Sequence, residues 1–213
     1  AYSGAGTLTV AGNDGVTINA NLTTTSGNMV LNGDANNAAN TSDVLTFASG
    51  LTMTSAGTMI LSSLTGGITG LGALTLNATS LITINNTYTG AGTLTVSGND
   101  GVTINANLTT TSGNMVLNGD ANNAANTSDI LTFASGVTMT SAANMTLSAL
   151  TGGITGLGAL TLNAPGLITI NNAYSGAGTL TIAANDGATI NANLTTTSGN
   201  MVLNGDANNT AGG

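Results

Sequence analysis

The stretch TINANLTTTSGNMVLNGDANN, Thr17–Asn37, decides the fold, because the chain repeats it letter for letter at Thr103–Asn123 and Thr189–Asn209. Each copy begins 86 residues after the one before it. Self-similarity at a fixed period is typical of proteins that stack one structural unit on the next. The sequence therefore predicts a stacked array rather than a set of unrelated domains.

The whole chain follows this period, so we expect a single elongated shaft over residues 1–213. Its repeats are 1–86, 87–172 and a partial third, 173–213. The chain begins at Ala1 and shows no signal peptide, which favours a mature or excised segment of something longer.

The composition excludes several classes of function. The chain has no Lys, Arg, His or Cys, and its eight acidic residues, all Asp, give a formal charge of −8. Nucleic acids and anionic lipid surfaces are both bound through Lys and Arg, so neither is an expected partner. No apolar run reaches the about 18–20 residues that a membrane-spanning helix needs. We expect neither nucleic-acid binding nor membrane insertion.

Each repeat divides into four units of 21, 23, 22 and 20 residues: Thr7–Gly27, Asn28–Gly50, Leu51–Gly72 and Ala73–Gly92. Within every unit, apolar residues alternate with Thr or Asn, and this period of two indicates short β-strands. The alternating pairs are Leu8/Val10, Val16/Ile18, Met29/Leu31, Leu45/Phe47, Leu51/Met53, Met59/Leu61, Leu74/Leu76 and Ile82/Ile84.

Strands this short cannot bury a face alone, but winding each unit once around a common axis stacks strand on strand at ~4.8 Å. The sequence thus predicts an all-β fold, a parallel β-solenoid (β-helix) of about ten rungs of 20–23 residues, with four rungs per 86-residue repeat. An antiparallel sandwich is the alternative fold. The expected inward positions are Leu8, Val10, Val16, Ile18, Met29, Leu31, Phe47, Met53, Leu61, Leu74, Leu76, Ile82 and Ile84.

The run LTTTSGNMVLNGDAN, together with the LTLNA and ITINN strands, resembles the repeat regions of filamentous-haemagglutinin-like and autotransporter-like bacterial surface proteins. This resemblance covers the whole chain. It implies a secreted, right-handed β-helix shaft that serves as a stalk, an adhesin or a fibre. It also implies an extracellular location, at the cell surface or in a secreted fibre.

The residue types argue against catalysis, since acid–base and nucleophilic sites use His, Cys, Lys or paired carboxylates. Each repeat has only three acids, and all lie in predicted turns, where Asp is a common turn former. The alternative is a calcium site in stacked corners, because calcium takes six to eight oxygen ligands. Its residues would be Asp14, Asp34, Asp43, Asp100, Asp120 and Asp129, with Asn13, Asn36 and Asn37 as further ligands.

The recurring tyrosines and the outward threonines form two further patterns in the sequence. Tyr2, Tyr88 and Tyr174 recur at one phase and are expected at a corner, where they stack over glycine-rich turns or mark a lateral contact. Outward threonines such as Thr9 suggest an ice-binding array, but Val30 in the neighbouring unit interrupts it. Threonine on an exposed strand is more simply explained by its β-propensity.

The predicted function is structural: a filament or stalk built by head-to-tail stacking of such segments, with the chain itself as partner and lateral bundling as an addition. Ala1–Gly6 and Asn200–Gly213 remain outside complete units, and together they predict a tenth rung at each junction. The axial repeat would then be about 48 Å at ~4.8 Å per rung. An adhesin shaft that binds glycans or another cell surface is the alternative.

Overall fold

The computed structural model describes residues 1–38, 42–124 and 129–209, and these contain short strands and turns but no helix. The strands in chain order are β1 Tyr2–Gly4, β2 Leu8–Ala11, β3 Val16–Ile18, β4 Leu22–Thr24, β5 Met29–Asn32, β6 Leu45–Phe47, β7 Leu51–Ser55, β8 Met59–Ser62, β9 Ile68–Gly70, β10 Leu74–Ala78, β11 Ile82–Ile84, β12 Tyr88–Ala91, β13 Leu94–Gly98, β14 Val102–Ile104, β15 Leu108–Ser112, β16 Met115–Asn118, β17 Leu131–Phe133, β18 Val137–Thr140, β19 Met145–Ser148, β20 Ile154–Gly156, β21 Leu160–Ala164, β22 Ile168–Ile170, β23 Tyr174–Gly176, β24 Leu180–Ala184, β25 Ala188–Ile190, β26 Leu194–Thr196 and β27 Met201–Asn204.

These strands form three parallel sheets of nine strands each. The first sheet starts at β1, the second at β2 and the third at β3, and each strand pairs with the strand three positions further along the chain. Tyr2, for example, lies beside Leu22 on the next turn, and Leu74 lies beside Leu94. The predicted all-β parallel solenoid is confirmed, and the antiparallel sandwich is excluded.

Three strands make one turn, and the shaft has about nine turns, close to the expected about ten rungs. The prediction counted eight alternating pairs per repeat and missed three strands, β4, β9 and β12. In these strands the second inward position holds Thr24, Gly70 or Gly90 in place of an aliphatic residue. A strand with one apolar residue shows no alternation in the sequence.

The missed strands also change how the repeat relates to the turns. Equivalent strands β2, β13 and β24 are eleven strands apart and lie in the second, first and third sheets respectively. Each repeat therefore makes three and two-thirds turns, a third of a turn fewer than the predicted four rungs, since eleven strands are wound at three per turn. Each repeat is consequently rotated by a third of a turn relative to the one before it, and the three faces of the shaft carry the same features in succession.

The turns also differ in length. Tyr88 pairs with Leu108, which gives a turn of 20 residues, whereas Met29 pairs with Met59, which gives one of 30. The longer turns contain an insertion between β5 and β6, and again between β16 and β17. We call residues 33–38 with 42–44, and 119–124 with 129–130, the expanded corners. The strand pairs on both sides of the insertion keep their register, so the extra residues do not interrupt the sheets.

A single apolar column fills the space between the sheets. Of the predicted inward residues, ten are buried, among them Met29, Phe47 and Leu76 with no exposed surface. Leu8, Val10 and Val16 pack against this column but are only half-buried, since they belong to the first turn, which is covered on one side. The core therefore depends on neighbouring turns rather than on any turn alone.

The outward positions carry columns of threonine. On the third sheet, successive turns align a column of six residues, Thr17, Thr46, Thr69, Thr89, Thr109 and Thr140. On the second sheet, Val30 and Ile60 separate Thr9 from Thr83, as the sequence indicated for Val30. These branched side chains suit the outer face of a strand, because they are stiff and pack along the ladder.

Tyr88 and Tyr174 lie inside the apolar column and not at a corner, which corrects their predicted placement, and Tyr2 occupies the equivalent position in the open first turn. Tyr88 and Tyr174 are each 2% exposed, whereas Tyr2 in the first turn is 40% exposed. A Cβ on Gly70 or Gly90 would collide with the Tyr88 hydroxyl, so these glycines provide the room for the ring. The buried hydroxyl of Tyr88 has no hydrogen-bond partner in the described part of the chain, and burial raises the pKa of Tyr88 to about 12.

The three-strand winding predicts which outward positions can be joined by an engineered disulfide. Thr46 and Thr69 are register partners on adjacent strands, about 4.7–4.9 Å apart, whereas Ile60 lies on another sheet. The pair Thr46→Cys with Thr69→Cys should oxidise to an intramolecular disulfide, because this spacing suits the bond. The pair Thr46→Cys with Ile60→Cys should not. Non-reducing electrophoresis and thiol titration distinguish the two, and the reverse result would contradict the winding.

Tyr88→Phe should raise the free energy of unfolding by about 1–3 kcal/mol, since it removes a buried hydroxyl that lacks a partner. The folded state also keeps the phenol proton longer than the unfolded chain, whose pKa is about 10. The wild type should therefore lose stability as pH rises above about 10 and through 12, and Tyr88→Phe should lack this contribution. Denaturant unfolding at neutral and alkaline pH measures both effects.

Tyr2→Phe is the matched control, because Tyr2 occupies the equivalent position but is exposed to solvent. It should leave the unfolding free energy unchanged at neutral pH. A loss of stability in Tyr88→Phe would contradict the interpretation that the hydroxyl is unsatisfied.

Candidate metal centre

The expanded corner in the first repeat is shaped by short polar side chains that bond to the nearby backbone. The amide of Asp34 donates to Oδ1 of Asn32 at 2.9 Å, and the amide of Ala38 donates to Oδ1 of Asn36 at 3.1 Å. Asn37 adopts a left-handed conformation with φ of 51°. Asn favours both features, because its side chain mimics a backbone turn and tolerates positive φ.

The next turn of the solenoid covers this corner. The amide and hydroxyl of Thr65 both donate to Oδ2 of Asp34, at 3.2 and 2.9 Å, and the Thr65 hydroxyl lies 3.2 Å from the carbonyl oxygen of Ala38. The Ser63 hydroxyl donates to the carbonyl oxygen of Asp43. A Cβ on Gly66 would lie 2.6 Å from the carbonyl carbon of Asp43, so only glycine permits this approach.

Coverage by this turn buries two carboxyl groups at one corner. Asp34 and Asp43 have no exposed surface. Oδ1 of Asp34 and both carboxyl oxygens of Asp43 are buried and accept no geometrically satisfactory hydrogen bond from the described residues. A buried carboxylate with few donors and no counter-charge is strongly disfavoured, because it loses its hydration and gains little in return.

The electrostatics of the corner follow from this burial. Burial is the largest cause that raises the pKa of Asp43, and the negative charges of Asp34 and Asp14 raise it further, while a hydrogen bond from Ser42 acts in the opposite direction. A raised pKa means that the folded state favours the neutral carboxyl. Any stability from that preference is present below the ordinary pKa of Asp and is lost as pH rises through the raised value.

The second repeat builds the same corner on a different edge of the shaft. The amide and hydroxyl of Thr151 donate to Oδ2 of Asp120 at 3.0 and 2.9 Å, and the hydroxyl lies 3.5 Å from Oδ2 of Asp129. Both acids are buried. Ala149 replaces Ser63, so the carbonyl of Asp129 receives no hydroxyl from that position.

The six predicted calcium ligands thus separate into groups. Asp120 lies with Asp129 at the Thr151 hydroxyl, and Asp34 with Asp43 in the equivalent corner under Thr65 and Gly66. Asp14 and Asp100 are exposed in the turns of the preceding strands. Asp100 accepts a hydrogen bond of 2.9 Å from the Ser80 hydroxyl. Within residues 1–38, 42–124 and 129–209, no group of three or more acids is placed to hold a metal ion. The corner thus contains a carboxylate pair and not a larger acidic cluster.

The three asparagines predicted as further ligands have other placements. Asn36 uses its side-chain oxygen within the corner turn, and Asn13 and Asn37 are exposed. The sequence did not reveal Thr65, which follows Asp34 by 31 residues. That spacing is within one residue of the 30-residue turn that contains the insertion, so only knowledge of the winding could have placed the threonine over the acid.

The third copy of the corner shows what the covering turn contributes. Asp206 repeats the local geometry of Asp34, since its amide donates to Oδ1 of Asn204 at 3.0 Å and Asn209 has φ of 49°. Asp206 is nevertheless exposed, because no further turn lies over it in the described chain. The asparagine turns position the acid, whereas stacking buries it.

A pair of equivalent surface grooves is the second candidate site. One, of about 250 Å³, is lined by residues that include Thr54, Asn77 and Asn99. The other, of about 300 Å³, is lined by the equivalent Thr140, Asn163 and Asn185, and lies a third of a turn away around the shaft. Hydroxyl and amide groups without charges could hydrogen-bond a neutral polar ligand.

Comparison of the chain with protein-family models, with curated proteins and with solved structures gives no match in any of the three. The fold itself defines the chain as a parallel β-helix repeat protein. In the described residues no helix is both long and apolar enough to cross a membrane.

Thr65→Val should lower the free energy of unfolding by about 1–3 kcal/mol, because it removes a hydroxyl donor to a buried carboxylate while keeping the side-chain shape. Thr89→Val is the matched control, since Thr89 is exposed on the outer face of its strand. Chemical denaturation of both variants measures the difference. Equal stability of the two variants would contradict a structural role for the Thr65 hydroxyl.

Proposed function

We propose that the chain is a structural protein, the shaft of an extracellular filament or stalk, and that it has no catalytic activity. The observation that supports this proposal best is the uninterrupted column of stacked turns, in which every sheet runs the length of the shaft. Such a fold can be lengthened by adding turns, because each turn contacts only its neighbours. The resemblance to bacterial surface β-helix repeats supports the extracellular location.

Head-to-tail stacking is the proposed mode of assembly. The first turn leaves the outer edges of β1, β2 and β3 open, and the last turn leaves those of β25, β26 and β27 open. Met201, Val202 and Leu203 are exposed at this second end. Open strand edges with apolar residues favour pairing with another chain. A copy placed there continues the order of sheets, because β27 is in the third sheet and β1 in the first.

In this proposal the junction adds no tenth rung, which revises the predicted geometry of the stack. β1 belongs to the first turn and β27 completes the ninth, so stacked copies would repeat every nine turns. The expected axial repeat is therefore about 43 Å at ~4.8 Å per turn, in place of about 48 Å.

Lateral bundling is the second part of the proposal. Leu64 and Leu71, about 60% exposed, flank β9 on the third sheet. The equivalent Leu150 and Leu157 flank β20 on the second sheet. Because each repeat is rotated by a third of a turn, these leucines point in different directions in successive repeats and suit contacts with several neighbouring shafts.

Electron microscopy of the purified chain at increasing concentration tests the assembly. We expect rods that lengthen with concentration and show a subunit spacing of about 43 Å along the axis. Leu203→Lys should shorten the rods, since it places a charge on the open end. Thr89→Lys, which places the same charge on a lateral face, should leave rod length unchanged.

Two outcomes would overturn head-to-tail stacking. One is a wild-type chain that remains a single short shaft at every concentration. The other is an equal effect of Leu203→Lys and Thr89→Lys on rod length, which would indicate that added charge, and not the open end, controls assembly.

An adhesin shaft is the second candidate function, and the paired grooves are the observation that favours it. Their uncharged lining places Thr and Asn beside apolar residues such as Ala78 and Pro165, and this mixture suits a neutral glycan more than a charged ligand. Binding of the chain to a panel of neutral glycans, compared with an Asn77→Ala and Asn163→Ala double variant, tests this alternative. Binding that is lost in the double variant would support it, and the absence of binding would leave the structural role alone.

A further inference from the structure

We propose that each covered expanded corner binds a divalent cation, with Ca²⁺ as the best-fitting ion, between Asp34 and Asp43 in the first repeat and between Asp120 and Asp129 in the second. This inference goes beyond the filament function, because it concerns what holds one turn to the next.

The carboxyl oxygens of the first corner are buried, and most of them lack a well-placed hydrogen-bond donor among the described residues. Oδ2 of Asp34 is held by the amide and hydroxyl of Thr65, which fixes the carboxyl group in place. Its Oδ1, and both oxygens of Asp43, are buried and receive no geometrically satisfactory hydrogen bond from the described residues. Buried polar atoms are nearly always satisfied, so three unsatisfied carboxyl oxygens at one corner indicate a missing partner.

The missing partner of these oxygens must carry a positive charge. The chain contains no Lys, Arg or His, so no side chain of this protein can neutralise the corner. The two carboxyl groups of a corner are also neighbours, since in the second repeat the Thr151 hydroxyl lies 2.9 Å from Oδ2 of Asp120 and 3.5 Å from Oδ2 of Asp129. Repulsion between two ionised carboxylates therefore adds to the cost of burial. A neutral ligand would leave this repulsion in place, whereas a bound cation would remove it.

The types of ligand at the corner indicate which cation fits. Every available ligand is an oxygen, namely the two carboxyl groups, the Ala38 carbonyl and the Thr65 hydroxyl beside it. Oxygen ligands without His or Cys favour a hard cation and exclude a typical zinc site. Calcium accepts irregular sets of carboxylate, carbonyl and water oxygens, whereas magnesium requires a near-ideal octahedron. Two carboxylates per site predict weak binding, with a Kd on the order of 10⁻⁴–10⁻³ M, as in extracellular calcium modules.

A bound cation would strengthen the contact between the corner and the turn that covers it. Asp34 and Asp43 belong to one expanded corner, whereas Thr65 belongs to the turn that covers it. A cation at the carboxyl pair would hold the corner closed and preserve the contact with Thr65. Because Asp206 is exposed and no turn of the described chain covers it, the third copy should not bind in the same way, and we expect two sites per chain.

The full chain, freed of metal with a chelator, is titrated with CaCl₂ and separately with MgCl₂ by isothermal calorimetry, and its Tm is recorded at each concentration. We expect about two calcium sites, weaker binding of magnesium, and a Tm that rises with the calcium concentration, since a ligand of the folded state stabilises it by mass action. The double variant Asp43→Asn with Asp129→Asn should lose calcium binding and the calcium-dependent rise in Tm.

The matched control is the double variant Asp100→Asn with Asp206→Asn, which removes the same charge from exposed positions and should keep both sites. If Asp43→Asn with Asp129→Asn fails to fold, calorimetry of the wild-type chain still decides the question. Absence of calcium binding to the wild type at millimolar concentrations would overturn the proposal and indicate that the corner holds a proton instead. Calcium binding that survives in the Asp43→Asn and Asp129→Asn variant would also overturn it, by placing the ion elsewhere.

Discussion

The in-register pairing of each strand with the strand three positions along the chain is the interaction on which the rest of the structure depends. It places Leu74 beside Leu94 and Ile82 beside Val102, so every turn supplies both the hydrogen-bond partners and the apolar floor of the next. No turn has a core of its own, and stability therefore arises between turns. The half-burial of Leu8 in the first turn shows the same dependence at an end of the shaft.

The same stacking that buries aliphatic side chains also buries carboxyl groups. Burial stabilises the aliphatic side chains but costs free energy for the charged carboxylates of the expanded corners. Asp34 is closed off by Thr65 of the covering turn, whereas Asp206, in an identical local sequence, stays in solvent. Because the chain has no Lys or Arg, the negative charge of these buried carboxylates can be neutralised only by a proton or a cation. The acids therefore link the stability of the solenoid to its solution conditions.

The rotation of the repeat by a third of a turn is possible because the three sheets are chemically interchangeable. Leu8, Leu94 and Leu180 occupy equivalent strands in three different sheets, yet each faces the same aliphatic column. A core with a distinct packing for each sheet would not tolerate this exchange. The surface shares the consequence, since the expanded corners and the exposed leucines appear on successive faces rather than along one edge.

The sequence by itself determined the class of fold, most of the inward residues and the acids that matter, because alternation and exact repetition are visible in a linear chain. It did not determine the number of strands per turn, since Gly70 and Gly90 replace the apolar residues that would have marked β9 and β12. Only the tertiary structure revealed that Tyr88 fills the space above these glycines. It also placed Thr65 on Asp34, because residues 31 positions apart become neighbours only when the length of the turn between them is known.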